Sequence, residues 1–192
     1  MDGLDAIVAR HDLNEHPFYR AWRAGTLPRA ALAKYASDYA PFIQAVEAGW
    51  RSLGDEEHAM TERQHALLWD DFRSELGDPS TTVSDEGRSL ASEARRAFSD
   101  PVTAAGALYA FEAQQPKTAK SKLLGLVLHY GMPEAATAYF RAHADDYGER
   151  ERLAARAATL ESGDLARAES ACEAVCRAMW TALDGVMGAR SL

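Results

Sequence analysis

The residues best suited to chemistry lie in the stretch ALYAFEAQQPKTAKSK, residues 107–122, whose pattern predicts a helical conformation. It places one carboxylate, Glu112, in the most apolar run of the chain and one amine, Lys122, ten residues later. A buried carboxylate is costly unless a cation, a metal ion or a hydrogen-bond network pairs with it. We therefore expect Glu112 to face a polar pocket; the alternative is that it marks the polar edge of an amphipathic helix.

A second group of candidates lies on the helix predicted over residues 55–76. His58 and His65 are two helical turns apart and therefore point in nearly the same direction, and Glu62 shares that side. The spacing Glu-x-x-His is also that of di-iron helical bundles. Two histidines and a carboxylate on one stripe suit iron, manganese or zinc. The same spacing also arises by chance on charged helices.

A third group consists of His143, Asp146, Tyr147 and Arg150, whose spacing would put them on one face of a helix predicted over residues 134–161. Gly148 is the position at which that helix could bend. A guanidinium repels metal cations, so Arg150 suits an anionic substrate or a reactive oxygen species better than it suits a metal site. The alternative is an exposed polar face without chemistry.

Aromatic residues near the N-terminus complete the set. Tyr19 follows His16, and Tyr35 and Tyr39 lie one helical turn apart. Buried tyrosines are more often core residues with a bonded hydroxyl than redox participants. Our hypothesis is that the segment His16–Tyr19 and the three groups above converge on one pocket.

The elements that must position these residues are all predicted to be helical. Alanine is abundant and β-branched residues are scarce, which favours helix throughout. Proline and glycine mark several boundaries, and the sequence offers Asp55, Ser84 or Asp85, and Asp100 as caps at the starts of three helices. The sequence predicts one all-α domain over residues 1–192, a compact bundle of about seven to nine helices, with segments near 2–11, 17–25, 28–54, 55–76, 84–98, 101–115, 116–129, 134–161 and 164–187.

Composition limits the function classes. The net charge of −8 argues against nucleic acid as a partner, because phosphate binding needs a basic surface. No apolar run approaches the roughly 20 residues of a membrane span, so no membrane partner is expected. No signal peptide is recognised at the start, and a cytoplasmic location is expected. Cys172 and Cys176, four residues apart, are predicted to be core thiols rather than a disulfide or a zinc site.

Four separated segments carry a resemblance to a known superfamily. In order, they are HPFYRAWRAGTLPRAALAKYASDY, HALLWDDF, ALYAFEAQQPKTAKSKLLGL and YFRAH. Their order and spacing resemble the heme-oxygenase-like oxidases, and most of all the chlamydial death-domain-associating family of para-aminobenzoate synthases. Proteins of the TenA and PqqC type are more distantly similar. The resemblance spans about residues 10–155 and implies a helical bundle with a central pocket, often found as a homodimer.

The resemblance also implies a metal site that this chain has altered. The family holds two metals with a Glu and a His on one helix, a Glu on a second helix and a His, an Asp and a His on a third. The matching positions here are His58 and His65, then Glu112, then His143, Tyr147 and Arg150. Glu57 lies next to His58, and Asp146 and Glu62 are carboxylates that could substitute for lost ligands. The resemblance therefore leaves the metal content open: the site could hold one or two iron ions, manganese, or no metal.

Two further positions of the family are retained. A tyrosine of its HxFY segment is thought to be consumed as the source of the aromatic ring, and a lysine beyond the central Glu is implicated as the amino donor. Tyr19 and Lys122 occupy those positions. The leading hypothesis is an oxidase that uses O2 and a reductant and whose substrate could be self-derived. In it, His65, Glu112 and His143, with His58 or Asp146, bind iron or manganese, and Tyr147 and Arg150 tune or replace part of the site. The alternatives are an oxidase or N-oxygenase acting on an external small molecule, and a binding protein that has lost the site.

Overall fold

A computed structural model describes residues 2–77, 82–145 and 147–188, and these residues are helical throughout apart from short connections. The predicted all-α fold class is confirmed. The α-helices, in chain order, are α1 (Asp2–Arg10), α2 (Pro17–Arg23), α3 (Arg29–Ser52), α4 (Glu56–Glu75), α5 (Asp85–Ala97), α6 (Pro101–Glu112), α7 (Gln115–His129), α8 (Glu134–Ala142), α9 (Glu149–Ala157) and α10 (Ser162–Met187).

Capping side chains fix where several helices begin. Asp55, Ser84 and Asp100 each accept a hydrogen bond from a backbone N–H in the first turn of the helix that follows. These bonds satisfy donors that have no partner within the helix. The sequence predicted all three caps, and α3 runs through Pro41 without interruption.

The prediction of one helix over residues 134–161 is wrong. α8 ends at Ala142 and α9 begins only at Glu149, after Gly148 adopts a left-handed backbone conformation with φ of 84°. A helix cannot continue through that conformation, which favours glycine. His143 and Arg150 are therefore not on one helical face.

Helix α6 forms the centre of the bundle. Every residue from Ala104 to Glu112 is buried, and α6 makes its most extensive contact with α10. The two helices approach closely at Gly106, where an added Cβ would lie 1.8 Å from the carbonyl oxygen of Ala168. Cys172 and Cys176 on α10 are buried free thiols, as the sequence predicted.

A dense aromatic layer surrounds the site described below. Its members share almost complete burial and contact one another edge to face, which is the favourable geometry for aromatic pairs. They include Trp22, Trp69, Tyr35, Phe72, Tyr139 and Phe140. Among the described residues, no helix has the length and apolar character that a membrane crossing requires.

The contact at Gly106 yields a stability prediction. Gly106→Ala forces α6 and α10 apart against backbone atoms, and we expect the free energy of unfolding to fall by about 3 kcal/mol. Gly163→Ala on α10 is the matched control, because nothing lies within 4 Å of its added Cβ. There the better helix propensity of alanine should leave stability equal or slightly higher. Urea denaturation of both variants measures the difference, and equal stability of the two would contradict the close contact.

Candidate active site

Three side chains capable of binding a metal meet between α4 and the C-terminal end of α8. One ligand atom from each of Glu62, His65 and His143 lies within 4.8 Å of the others. The rings of His65 and His143 are 4.3 Å apart, and His65 Nδ1 lies 3.0 Å from Glu62 Oε1. Two histidines and a carboxylate form the donor set that non-heme Fe(II) oxygenases use. Glu62, named from the sequence only as a substitute carboxylate, belongs to this cluster.

The hydrogen bonding of His143 leaves one of its ring nitrogens available as a metal ligand. Its Nδ1 donates a hydrogen bond to the backbone carbonyl of Tyr139 at 2.9 Å, so its Nε2 carries the free lone pair. That Nε2 is buried and has no hydrogen-bond partner among the described residues. Burial lowers the pKa of His143 to about 4, which keeps the ring neutral near pH 7. An unsatisfied buried lone pair beside a carboxylate and a second imidazole fits a metal ion well.

Glu112 lies at the end of α6 and is 4% exposed. Trp50 Nε1 donates a hydrogen bond to Glu112 Oε1 at 3.2 Å. Burial, followed by repulsion from Glu62 and Glu149, raises the pKa of Glu112 well above its ordinary value. Glu112 is therefore a polar residue of the core, consistent with the pocket expected from the sequence.

His58 is not part of the cluster of Glu62, His65 and His143. It pairs with Asp55 at 3.1 Å and stacks on the ring of Trp50 at 4.7 Å, and Trp50 in turn bonds to Glu112. Glu57 is exposed, so no shift along α4 brings it into the site in place of His58.

The structure does not bring Tyr147 or Arg150 to the metal cluster. Tyr147 is 64% exposed. Arg150 forms an ion pair with Asp5 of α1 at 2.7 Å, and its Nε donates to the hydroxyl of Tyr109 at 3.2 Å. The helix break at Gly148 separates both residues from His143. Asp146 lies outside the described residues.

The second half of the site is a closed cavity next to the cluster, and it contains Lys122. The Lys122 Nζ lies 3.3 Å from the hydroxyl of Tyr19 and 3.2 Å from that of Tyr35, and the two hydroxyls are 3.0 Å apart. The cavity has a volume of about 10 Å³, which holds roughly one water molecule.

Lys122 is an unusual lysine because it is 4% exposed and its recorded polar contacts are two phenols rather than a carboxylate. Burial lowers its pKa to about 7, so a large fraction of the amine is neutral at physiological pH. A neutral amine has the lone pair that a nucleophile needs. Burial raises the pKa of Tyr19 and keeps its phenol protonated.

Hydrogen bonds of neighbouring residues fix the position of Tyr19 relative to Lys122. The Nδ1 of buried His16 caps α2 by accepting from the N–H of Phe18, and its Nε2 lies 3.0 Å from Asp184 of α10. Trp22 donates to the backbone carbonyl of Lys122 at 3.1 Å, which ties α2 to α7. These bonds place Tyr19 over Lys122 from a different part of the chain.

Tyr139 connects the two halves of the site and was not singled out from the sequence. Its ring packs 4.3 Å from that of His143, and its hydroxyl accepts a hydrogen bond from Gln115 at 2.9 Å beside the cavity. The only signal for it in the sequence was its place in the YFRAH segment, four residues before His143. On α8 that spacing puts both side chains on one face.

The fold and the site together define the class of protein. The chain resembles a protein of unknown function with a heme oxygenase-like fold from Shewanella denitrificans, with a TM-score of 0.79, 16% identity and coverage of 95% of this chain and 89% of the other. A TenA homologue from Pseudomonas syringae gives a TM-score of 0.77 at 15% identity, covering 96% and 90%. This is a heme oxygenase-like helical protein.

Sequence relatives then identify the family. A 4-aminobenzoate synthase of Nitrosomonas europaea is 30% identical over 95% of this chain and 89% of the relative. A 4-aminobenzoate synthase of Chlamydia muridarum is 33% identical over 74% of this chain and 70% of the relative. No family model matches the sequence. The chain belongs to the 4-aminobenzoate synthase family, which confirms the resemblance seen in its four segments.

The burial of Lys122 predicts a dependence of stability on pH. The unfolded chain keeps the Lys122 proton up to a pKa near 10.5, whereas the folded protein releases it at about 7. The unfolded state binds more protons between these values, so this residue makes the free energy of unfolding rise with pH there. Lys122→Met removes the effect. Its stability advantage over the original protein should shrink by roughly 2 to 3 kcal/mol from about pH 7 to about pH 9.

Urea denaturation at several pH values measures this difference. Lys120→Met is the matched control, since Lys120 is an exposed lysine on the same helix. Its difference from the original protein should not change with pH. A constant difference for Lys122→Met as well would contradict the lowered pKa.

Proposed function

We propose that this chain is an oxygen-dependent 4-aminobenzoate synthase that uses a bound metal and takes both parts of its product from itself. Tyr19 would supply the aromatic ring and Lys122 the nitrogen. Its membership of the 4-aminobenzoate synthase family and its heme oxygenase-like fold support oxidase-like chemistry in general.

The observation that carries this proposal is the contact between Tyr19 and Lys122 in a cavity of about 10 Å³. Sites for organic ligands are typically of several hundred Å³, so this cavity is too small for an external aromatic substrate. Of the two tyrosines that contact the amine, Tyr19 has the nearer ring, with its centroid 4.8 Å from Lys122 Nζ against 5.7 Å for Tyr35.

The atoms of the product match these two side chains. The ring and Cβ of tyrosine contain every carbon of 4-aminobenzoate. The conversion breaks the Cα–Cβ bond of Tyr19 and leaves glycine at residue 19, while Cβ is oxidised to the carboxyl carbon. The amine of Lys122 adds to the oxidised ring at the carbon that bears the phenolic oxygen, which leaves as water. Hydrolysis of the resulting imine between the nitrogen and the lysine Cε releases the nitrogen with the ring and leaves an aldehyde at Cε. Two molecules of O2 and two electrons from an external reductant balance the conversion, with two molecules of water formed.

The chain's own groups perform three tasks in this proposal. Burial lowers the pKa of Lys122 to about 7, so that a large fraction of its amine is neutral and can attack an oxidised ring. The Tyr35 hydroxyl hydrogen-bonds to both reacting groups and holds them together. The closed aromatic layer excludes bulk water from the oxidised side chain.

Glu62, His65 and His143 would hold an iron or a manganese ion. Such an ion, when bound, supplies the redox chemistry that activates O2. The packing of Tyr139 between His143 and the cavity supports a short route for an electron between this cluster and Tyr19.

Metal content tests the ligand set. Protein loaded anaerobically with Fe(II) and desalted should retain close to one equivalent, because one cluster of three donors is present among the described residues. His143→Ala and Glu62→Ala should lose it. His58→Ala is the matched control and should keep it, since His58 pairs with Asp55 instead.

Other results would change the assignment. Near two equivalents would mean that Glu112 and residues beyond the cluster complete a second site. Loss of metal in His58→Ala would mean that His58 turns from Asp55 to the metal. If no metal is retained, the result would favour oxygen chemistry without a metal, which the resemblance to PqqC-type proteins implies.

Peptide masses test the source of the ring. After exposure to Fe(II), a reductant and O2, the tryptic peptide of residues 11–20 should lose mass at Tyr19, its only tyrosine. The peptide of residues 35–51, which contains Tyr35 and Tyr39, is the internal control and should be unchanged. Trypsin should also stop cleaving after residue 122, because transfer of the nitrogen removes the amine that it recognises.

The competing function is an oxidase that acts on an external small molecule. It requires repeated turnover with an unmodified protein, and the cavity would have to open widely for it. An intact peptide of residues 11–20 after the same exposure would therefore refute the self-derived source and favour this alternative.

A further inference from the structure

A second, larger cavity lies directly outside the first one. It opens at the surface between α1, the turn that follows it and the start of α7, and its volume is about 340 Å³. This volume is in the range of small-molecule sites. Its lining contains Asp5, Val8, Ala9, Asp12, Asn14, Ala113, Gln114, Lys117 and Arg150.

One side chain, that of Gln114, lines both the surface cavity and the cavity of Tyr19 and Lys122. Its Oε1 accepts a hydrogen bond from the N–H of Leu13 at 2.9 Å, and its Nε2 donates to the carbonyl of Ala110 at 3.0 Å. Gln114 lies in the short connection between α6 and α7. The Gln114 side chain therefore forms the wall between the two cavities. Two hydrogen bonds between neutral groups hold this wall in place, and it opens when they break.

The surface cavity offers hydrogen-bond donors for an anion. Lys117 and Arg150 bring two positive charges to its wall, and each retains N–H donors beyond its bond to an aspartate. A carboxylate is the group that such donors recognise.

The same cavity offers acceptors and an apolar surface. Asp5 and Asp12 provide carboxylate oxygens that can accept from an amine N–H. Val8, Ala9 and Ala113 provide small apolar walls between these charged groups. A molecule with a flat apolar body, one carboxylate and one amine matches all three features.

We propose that the surface cavity binds an amino-aromatic carboxylate and that it receives 4-aminobenzoate when the Gln114 wall opens. This inference rests on the proposed function, since that function makes such a molecule in the adjoining cavity. It also gives Arg150 a role as an anion-binding residue of this cavity, away from the metal cluster.

Direct binding of 4-aminobenzoate to the purified full chain, measured by isothermal titration calorimetry, tests the proposal. Ala9→Trp fills the cavity from α1 and should weaken binding at least tenfold. Ala6→Trp is the matched control, an exposed alanine on the same helix that does not line the cavity, and should bind as the original protein does. Likewise, Lys117→Ala should weaken binding and Lys120→Ala should not.

The outcomes separate this proposal from the proposed function. Absence of saturable binding, or equal binding by Ala9→Trp and Ala6→Trp, would overturn the surface site even if Tyr19 is consumed. Binding that Ala9→Trp abolishes would support the site even if the peptide of residues 11–20 stays intact. Equal affinity for benzoate would overturn the role of Asp5 and Asp12 in recognising the amine.

Discussion

The site depends on the burial of ionisable groups in a helical core without the opposite charges that usually accompany them. Lys122 has two phenols as neighbours, and Glu112 has an indole N–H. Burial favours the neutral forms of both, which converts an amine that is normally protonated into a nucleophile. In the proposed function, the aromatic layer that excludes water is therefore the origin of the chemistry as well as of the stability. A carboxylate beside Lys122 would stabilise the fold and would also favour the charged form of the amine, which lacks the lone pair that the proposed attack needs.

The geometry divides the site into two halves that share a wall of side chains. On one side, Glu62, His65 and His143 present donor atoms to one another, and on the other, Tyr19, Tyr35 and Lys122 close a small cavity. Tyr139 contacts both, through its ring on His143 and its hydroxyl at the cavity. In the proposed function, this arrangement would let a metal held by the cluster act on Tyr19, which is not one of its ligands. The surface cavity lies on the other side of Gln114 from the cavity of Tyr19 and Lys122, and it opens to solvent.

The difference between this chain and the ligand pattern implied by its resemblance has a structural explanation. Where the resemblance implied an Asp and a His on the third helix, this chain has Tyr147 and Arg150, and the helix is interrupted between Ala142 and Glu149. Tyr147 is exposed and Arg150 pairs with Asp5 of α1. Glu62 lies one turn before His65 on α4 and places a carboxylate close to both histidines. The donor set that we propose is therefore centred on α4.

The sequence by itself determined the helical class, the caps at Asp55, Ser84 and Asp100, and the family, because helix propensity, capping and motif spacing are local properties of the chain. It also indicated the candidate functional residues, which include Glu112, His65, His143, Tyr19 and Lys122. Only the tertiary structure decided which of them meet. The break between α8 and α9, the position of Glu62 in the cluster and the pairing of His58 with Asp55 depend on how helices distant in sequence pack. So does the lowered pKa of Lys122, since desolvation is a property of the folded core and cannot be read from neighbours along the chain.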